Sequence, residues 1–169
     1  MRRLKYREAR DTVCINQSIA RGMANQIARF PEEIPDFREG VILELGTGKG
    51  TYSNACLEQG LDVYAIDIRS VREIPGFKGN QKRFLQAEAR HLPFKTESFN
   101  LVIENLFFDD VVGLQGLGFS LDAFVREIHR VLKSPGFLFT SNRESSVLKS
   151  RLFSEEKTYG AYRTVYRKL

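Results

Sequence analysis

Short apolar runs alternate with amphipathic stretches along this chain. From Asp11 to Phe30, "DTVCINQSIARGMANQIARF" sets Val13, Ile15, Ile19, Met23, Ile27 and Phe30 at roughly helical spacing. Pro31 and Pro35 close that helix and make a short linker. "VILEL" is apolar apart from one acid, the pattern of a buried central strand. Gly46 to Gly50 form a turn, and "TYSNACLEQG" reads as a helix stopped by Gly60. "DVYAID" is a second strand, "KRFLQA" a short third and "NLVIEN" a fourth. "SLDAFVREIHRVLKS" is an amphipathic helix with Ser120 as N-cap and Pro135-Gly136 past its end. "FLFTS" is a fifth strand, "SSVLKSRLF" reads as helical, and "AYRTVYRKL" alternates like an edge strand.

Apolar strands interleaved with helices predict an α/β fold whose parallel sheet is covered on both faces. Ligands of such sheets lie at the carboxyl ends of the strands, near the point where strand order reverses. The first strand–turn–helix, "VILELGTGKGTYS", is therefore the place to look for chemistry.

Composition changes this picture little. With 42% hydrophobic and 28% charged residues, the chain reads as one globular domain over 1–169, with 1–40 an N-terminal helical segment. No run approaches the roughly 18 apolar residues of a membrane span, and no signal-peptide core follows the basic N-terminus, so a cytoplasmic location is expected. Cys14 and Cys56 stand alone, as packing residues do, and no metal signature is present. Charge is uneven. Residues 1–10 carry five Lys/Arg against one Glu and residues 149–169 six against two, so each end is +4 and the middle −3. Basic ends can track a phosphate backbone, which keeps an RNA partner in view.

The glycine turn excludes one ligand class. A GxxxxGK[ST] phosphate loop ending at Gly48-Lys49 would need glycine where Leu43 stands, and Gly50 replaces the magnesium-binding hydroxyl. Glu44 would also set a carboxylate beside the phosphates. In a dinucleotide loop, G-x-G-x-x-G, the third glycine here comes one residue early, although Asp67 is spaced to take a ribose. A nicotinamide cofactor stays open, with Glu44 against it. A ligand with a ribose, no phosphate and cationic groups suits every residue, and S-adenosylmethionine is such a ligand. Glu44 then attracts charge, Gly46 and Gly48 admit a close backbone approach, and Asp67 accepts from the ribose hydroxyls.

With these residues the chain resembles the class I S-adenosylmethionine-dependent methyltransferases of the small-methylase type. "LELGTGKG" is similar to their first motif and "DVYAID" to their second. "AEARHLPFKTESFNLVIEN" resembles their D-A-x-x-L-P-F…F-D-x-V segment, and "EIHRVLKSPGFLF" their R-x-L-K-P-G-G turn. The likeness covers 41 to about 141. It implies a Rossmann-like three-layer sandwich with a mostly parallel sheet. A C-terminal part shorter than the family's hairpin reduces that sheet to about six strands, and the exposed edge would suit a homodimer as well as a monomer. It also implies that Glu44, Gly46, Thr47, Gly48, Asp67, Ile68, Glu88, Ala89, Glu104 and Asn105 hold S-adenosylmethionine. Glu88 and Asn100 stand where the family has Asp, and "SPG" replaces "PGG".

Methyl transfer needs alignment first and a general base only for a protonated acceptor. The acceptor is expected above "ENLFFDD", where His91, Phe107, Phe108 and Asp109 are candidates, and no catalytic base is assigned. An N-P-P-[YF] segment and a suitably placed nucleophilic cysteine are absent. Those absences weaken two nucleic-acid mechanisms and leave ribose, other base atoms and protein side chains open; a small-molecule acceptor is expected, with an RNA methyltransferase or a non-catalytic cofactor-binding scaffold as alternatives.

Overall fold

The computed structural model describes residues 17–70, 72, 74, 81–105, 121–141, 150–160 and 163–169. Among them α1 (Gln17–Ala28) and the single turn α2 (Phe30–Glu33) precede β1 (Ile42–Leu45), α3 (Thr51–Glu58) and β2 (Val63–Asp67). Then come β3 (Phe84–Gln86), β4 (Phe99–Glu104), α4 (Leu121–Val131), β5 (Leu132–Thr140), β6 (Phe153–Tyr159) and β7 (Arg163–Lys168). The sheet runs β3-β2-β1-β4-β5-β7-β6. Its first five strands are parallel, and β7 is antiparallel to both β5 and β6.

This is the expected Rossmann-like α/β architecture, with two corrections at the C-terminal end. The sheet has seven strands rather than about six, because the final hairpin is complete. "AYRTVYRKL" supplies β7, which lies inside the sheet, and the edge is β6, "FSEEKTY". Within "SSVLKSRLF", Ser150 to Leu152 form a turn and Phe153 opens a strand, so this part is not helical; 145–149 lie outside the described residues. Charged Glu155, Glu156 and Lys157 on β6 blur the apolar alternation, and the same charges discourage edge-to-edge pairing. Ser120 also lies outside the described residues.

Alternation along each central strand divides the core into two layers. Leu43, Leu45, Val102 and Leu138 face Phe124, Val125 and Ile128 of α4. Ile42, Leu101, Ile103, Phe137 and Phe139 face the other way, onto Met23 and Ile27 of α1, Phe30 of α2 and Ala55 of α3. Phe30 is completely buried and sits edge-on to Phe37 and Phe139. Burying such side chains stabilises the fold by roughly 1.5–3 kcal/mol each.

Three polar clamps hold the layers in register. Asn100 Oδ1 accepts from Val41 N (3.2 Å) and Lys133 Nζ (2.9 Å), a structural task for the residue that replaces the family's Asp. Gly40 is required there, since a Cβ would lie 2.1 Å from Asn100 Oδ1. Arg130 of α4 pairs with Glu127 and donates to the carbonyls of Phe94 (2.8 Å) and Leu92 (3.0 Å), while Glu127 accepts from Leu92 N (2.8 Å). That clamp pins the "LPF" segment. Arg167 of β7 pairs with Glu156 and Asp36 and lies over the ring of Phe137.

Candidate cofactor site

Strand order reverses between β1 and β4, whose ends are paired in register at Leu45 and Glu104. The glycine turn follows β1 directly. Gly46, Gly48 and Gly50 have φ of 65°, 59° and 76°, a left-handed path that only glycine follows without strain. This path aims Gly48 N at Asp67 Oδ2 (3.0 Å) at the end of β2. Thr47 N donates to Ile66 O (3.0 Å), so the turn is bonded twice to the end of β2.

Glu44 has a different first role from the one its sequence position suggests. Its residue is only 2% exposed, and Oε2 accepts from Thr47 Oγ1 (2.7 Å) and from Ser53 Oγ. The carboxylate ties the turn to the first turn of α3 instead of standing open as a charge. Burial pushes its pKa up to about 7, against the opposing pull of the Ser53 and Thr47 bonds. Thr47 is likewise buried and committed to Glu44.

Asp67 is also 2% exposed, but charge and N–H groups hold it. Oδ1 accepts from Arg69 N (3.0 Å) and Arg69 Nε (3.1 Å). Oδ2 accepts from Gly48 N and Arg69 Nη2 (3.3 Å), and Arg69 Nη2 also donates to Gly48 O (2.7 Å). Beside it Ile68 is 53% exposed, one of three large apolar side chains so exposed among the described residues. Glu88 pairs with Arg90 at the rim, and Ala89 is buried against the β1 side of the core.

At the end of β4 Glu104 is fully buried and accepts from Thr140 Oγ1. Asn105 Nδ2 is buried without a hydrogen-bond partner, shared as a condition only with Ser150 Oγ among the described residues. The amide interacts with the Tyr52 hydroxyl but makes no well-formed hydrogen bond to it, which leaves Nδ2 open to a ligand oxygen or water. Tyr52, pushed up to about 12 by burial, lies near both Arg163 and Glu44. The Cys56 thiol is buried and also pushed up to about 12, as suits a packing residue.

These features fit the adenosyl amino-acid ligand anticipated from the sequence: a diol acceptor, an exposed apolar face beside it, a glycine cradle and an open amide donor. The family described as a methyltransferase domain matches residues 43–140, more than half of the chain. The chain belongs to the class I S-adenosylmethionine-dependent methyltransferases. S-adenosylmethionine is this methyltransferase's cofactor.

Solved structures share the fold. The Burkholderia thailandensis 1,6-didemethyltoxoflavin-N1-methyltransferase, with its substrate and S-adenosylhomocysteine bound, aligns at TM-score 0.63 and 18% identity over 88% of this chain and 78% of its own. The PH0226 protein of Pyrococcus horikoshii OT3 aligns at 0.66 and 18% over 94% of each chain. Magnesium protoporphyrin IX methyltransferase from Synechocystis PCC 6803, with bound S-adenosylmethionine, aligns at 0.61 and 16% over 90% and 79%. At these identities the likeness is one of fold. No curated protein matches this methyltransferase in sequence.

The structure brings Glu44, Gly46, Thr47, Gly48, Asp67 and Ile68 together at the ends of β1 and β2, with Glu104 and Asn105 on neighbouring β4. His91 is exposed, and its backbone N–H closes a turn onto Glu88 O (3.0 Å). Phe107, Phe108 and Asp109 lie outside the described residues. Sequence reasoning missed Arg69, whose only signal is a basic residue two places after the acid that ends β2. Among the described residues no cluster of three His, Cys, Asp or Glu is placed for a metal, and no helix is long and apolar enough to cross a membrane.

Proposed function

We propose that residues 1–169 act as one domain that transfers the methyl group of S-adenosylmethionine to a small-molecule acceptor. One observation supports the choice of acceptor: four of the six cations of 149–169 are held by partners within the fold. Lys157 pairs with Glu33 (3.2 Å), and Arg163 donates to Gln26 (3.3 Å). Arg167 pairs with Glu156 (2.8 Å) and Asp36 (2.9 Å), and Lys168 donates to Leu132 O (2.7 Å). Cations held this way are poor phosphate contacts, because each must leave an internal partner to reach a nucleic acid. The substrates named for two solved relatives, a didemethyltoxoflavin and a magnesium porphyrin, also support a compact acceptor.

The cofactor supplies a methyl group already activated by its sulfonium. In this reading Asp67 accepts from the ribose hydroxyls, Ile68 offers the adenine ring an apolar surface, and Glu88 with Ala89 flanks the other side. Gly46 and Gly48 admit close backbone approach, Glu44 and Thr47 fix the turn, and Asn105 beside Glu104 donates at the amino-acid end. Positioning of this kind lowers a barrier by up to roughly 7–11 kcal/mol where geometry is ideal.

The test is transfer of tritiated methyl to a cell extract separated into small-molecule, RNA and protein fractions. Label in the small-molecule fraction is the expected result. Label confined to RNA, with RNA binding that falls steeply as salt rises, would replace this acceptor class with nucleic acid.

A further inference from the structure

Both carboxylates of the adenosine end carry an arginine two residues further along the chain, Arg69 on Asp67 and Arg90 on Glu88. The two pairs differ in kind. The Glu88 and Arg90 side chains are 38% and 31% exposed, and such a solvated pair contributes little. The Asp67 side chain is wholly enclosed, while Arg69 keeps 32% of its side chain in solvent.

A carboxylate offers about four lone-pair sites. Asp67 accepts from at least four donors: Arg69 N and Nε on Oδ1, Gly48 N and Arg69 Nη2 on Oδ2. Two of these are backbone N–H groups fixed by the glycine turn and the strand end. The other two come from one side chain that is about one-third exposed. A ribose diol carries two O–H donors, so it can bind Asp67 only by taking the sites that the guanidinium holds.

We propose that Arg69 is a displaceable occupant of the ribose position, exchanged two hydrogen bonds for two when the cofactor enters. The inference rests on the reading of Asp67 as the ribose acceptor. Without a ligand, Arg69 spares the fold an unpaired buried charge. With a ligand, the exchange subtracts the arginine's contribution from the cofactor's affinity, so Arg69 sets how tightly the adenosine end is held. A ligand without ribose hydroxyls leaves Arg69 where it is.

Calorimetry with S-adenosylhomocysteine and its analogue lacking both ribose hydroxyls tests this on the whole chain. Arg69→Ala should tighten S-adenosylhomocysteine by about tenfold, the scale of a charge-assisted hydrogen bond, and leave the analogue within about twofold. Arg69→Lys, which keeps the charge but not the fork, should fall between wild type and Arg69→Ala. Arg90→Ala, on the solvated pair, should change either affinity by less than about twofold. The exchange is overturned if Arg69→Ala binds S-adenosylhomocysteine no tighter while retaining a cooperative melt, or if both ligands gain equally. Absence of S-adenosylhomocysteine binding to wild type and variant alike would overturn the Asp67 reading itself.

Discussion

Glu44 and Asp67 end adjacent parallel strands, and each is 2% exposed, yet their carboxylates are held by different chemistry. Glu44 is tied to two neutral hydroxyls, Thr47 of the glycine turn and Ser53 of the first turn of α3. Asp67 is tied to one loop N–H, one strand-end N–H and a guanidinium that reaches solvent. Equal burial therefore conceals unequal roles. The first carboxylate is a permanent brace, and its neutral partners leave burial free to raise its pKa. The second is, in the proposed reading, a docking point, two of whose four described partners come from one partly exposed side chain.

The largest effect that sharpens this contrast is in pH. Glu44 titrates near 4.5 when unfolded and at about 7 in the fold. Between those values the folded chain holds a proton that the unfolded chain has lost. Stability from this group is thus fully present below about pH 4.5 and is lost as pH rises through 7, by up to about 3 kcal/mol. Urea unfolding at pH 5 and pH 8 should show that loss in wild type, and Glu44→Gln should remove most of it. Equal pH slopes in the two proteins would break the comparison, since Glu44 would then keep its charge as freely as a solvated acid.

Next in size is Asp67. Because the diol replaces an existing partner, Asp67→Ala alone should weaken S-adenosylhomocysteine by about tenfold, and by about a hundredfold when made in the Arg69→Ala background. A cycle with no such coupling would show that ribose and guanidinium do not compete for one carboxylate.

The parts of this contrast that the sequence shows are those set by backbone pattern. β1, β2, β4 and most of β5 are buried on both faces, so their letters are nearly all apolar. The glycines that must turn left-handed and the acid that ends β2 sit at fixed offsets from those strands. β6 stayed hidden because an edge strand needs charges more than alternation, and taking β7 as the edge followed from that. The site's side-chain pairings are hidden for a different reason. Glu44 reaches residues three and nine places ahead, and Asp67 takes an arginine two places on, through rotamers that spacing does not specify. The reading of Glu44 as a charge offered to the cofactor assumed an open carboxylate, whereas its own turn closes over it.

The smallest effect discriminates most finely between brace and docking point. Thr47→Val keeps the shape of the side chain and removes only the Oγ1 donor 2.7 Å from Glu44 Oε2. Ser53 Oγ, 3.4 Å from that hydroxyl, remains on the same oxygen. Loss of one buried hydrogen bond should cost about 1 kcal/mol of stability. It should also raise the Glu44 pKa further, since a bond that favoured the ionised form is gone, and so move the midpoint of the stability loss to higher pH. If Glu44 and Thr47 only brace the turn, S-adenosylhomocysteine affinity should stay within about twofold of wild type. A drop in affinity larger than the drop in stability would mean that the Thr47 hydroxyl serves the ligand directly, and the line between the two carboxylates would have to be redrawn one residue further along the loop.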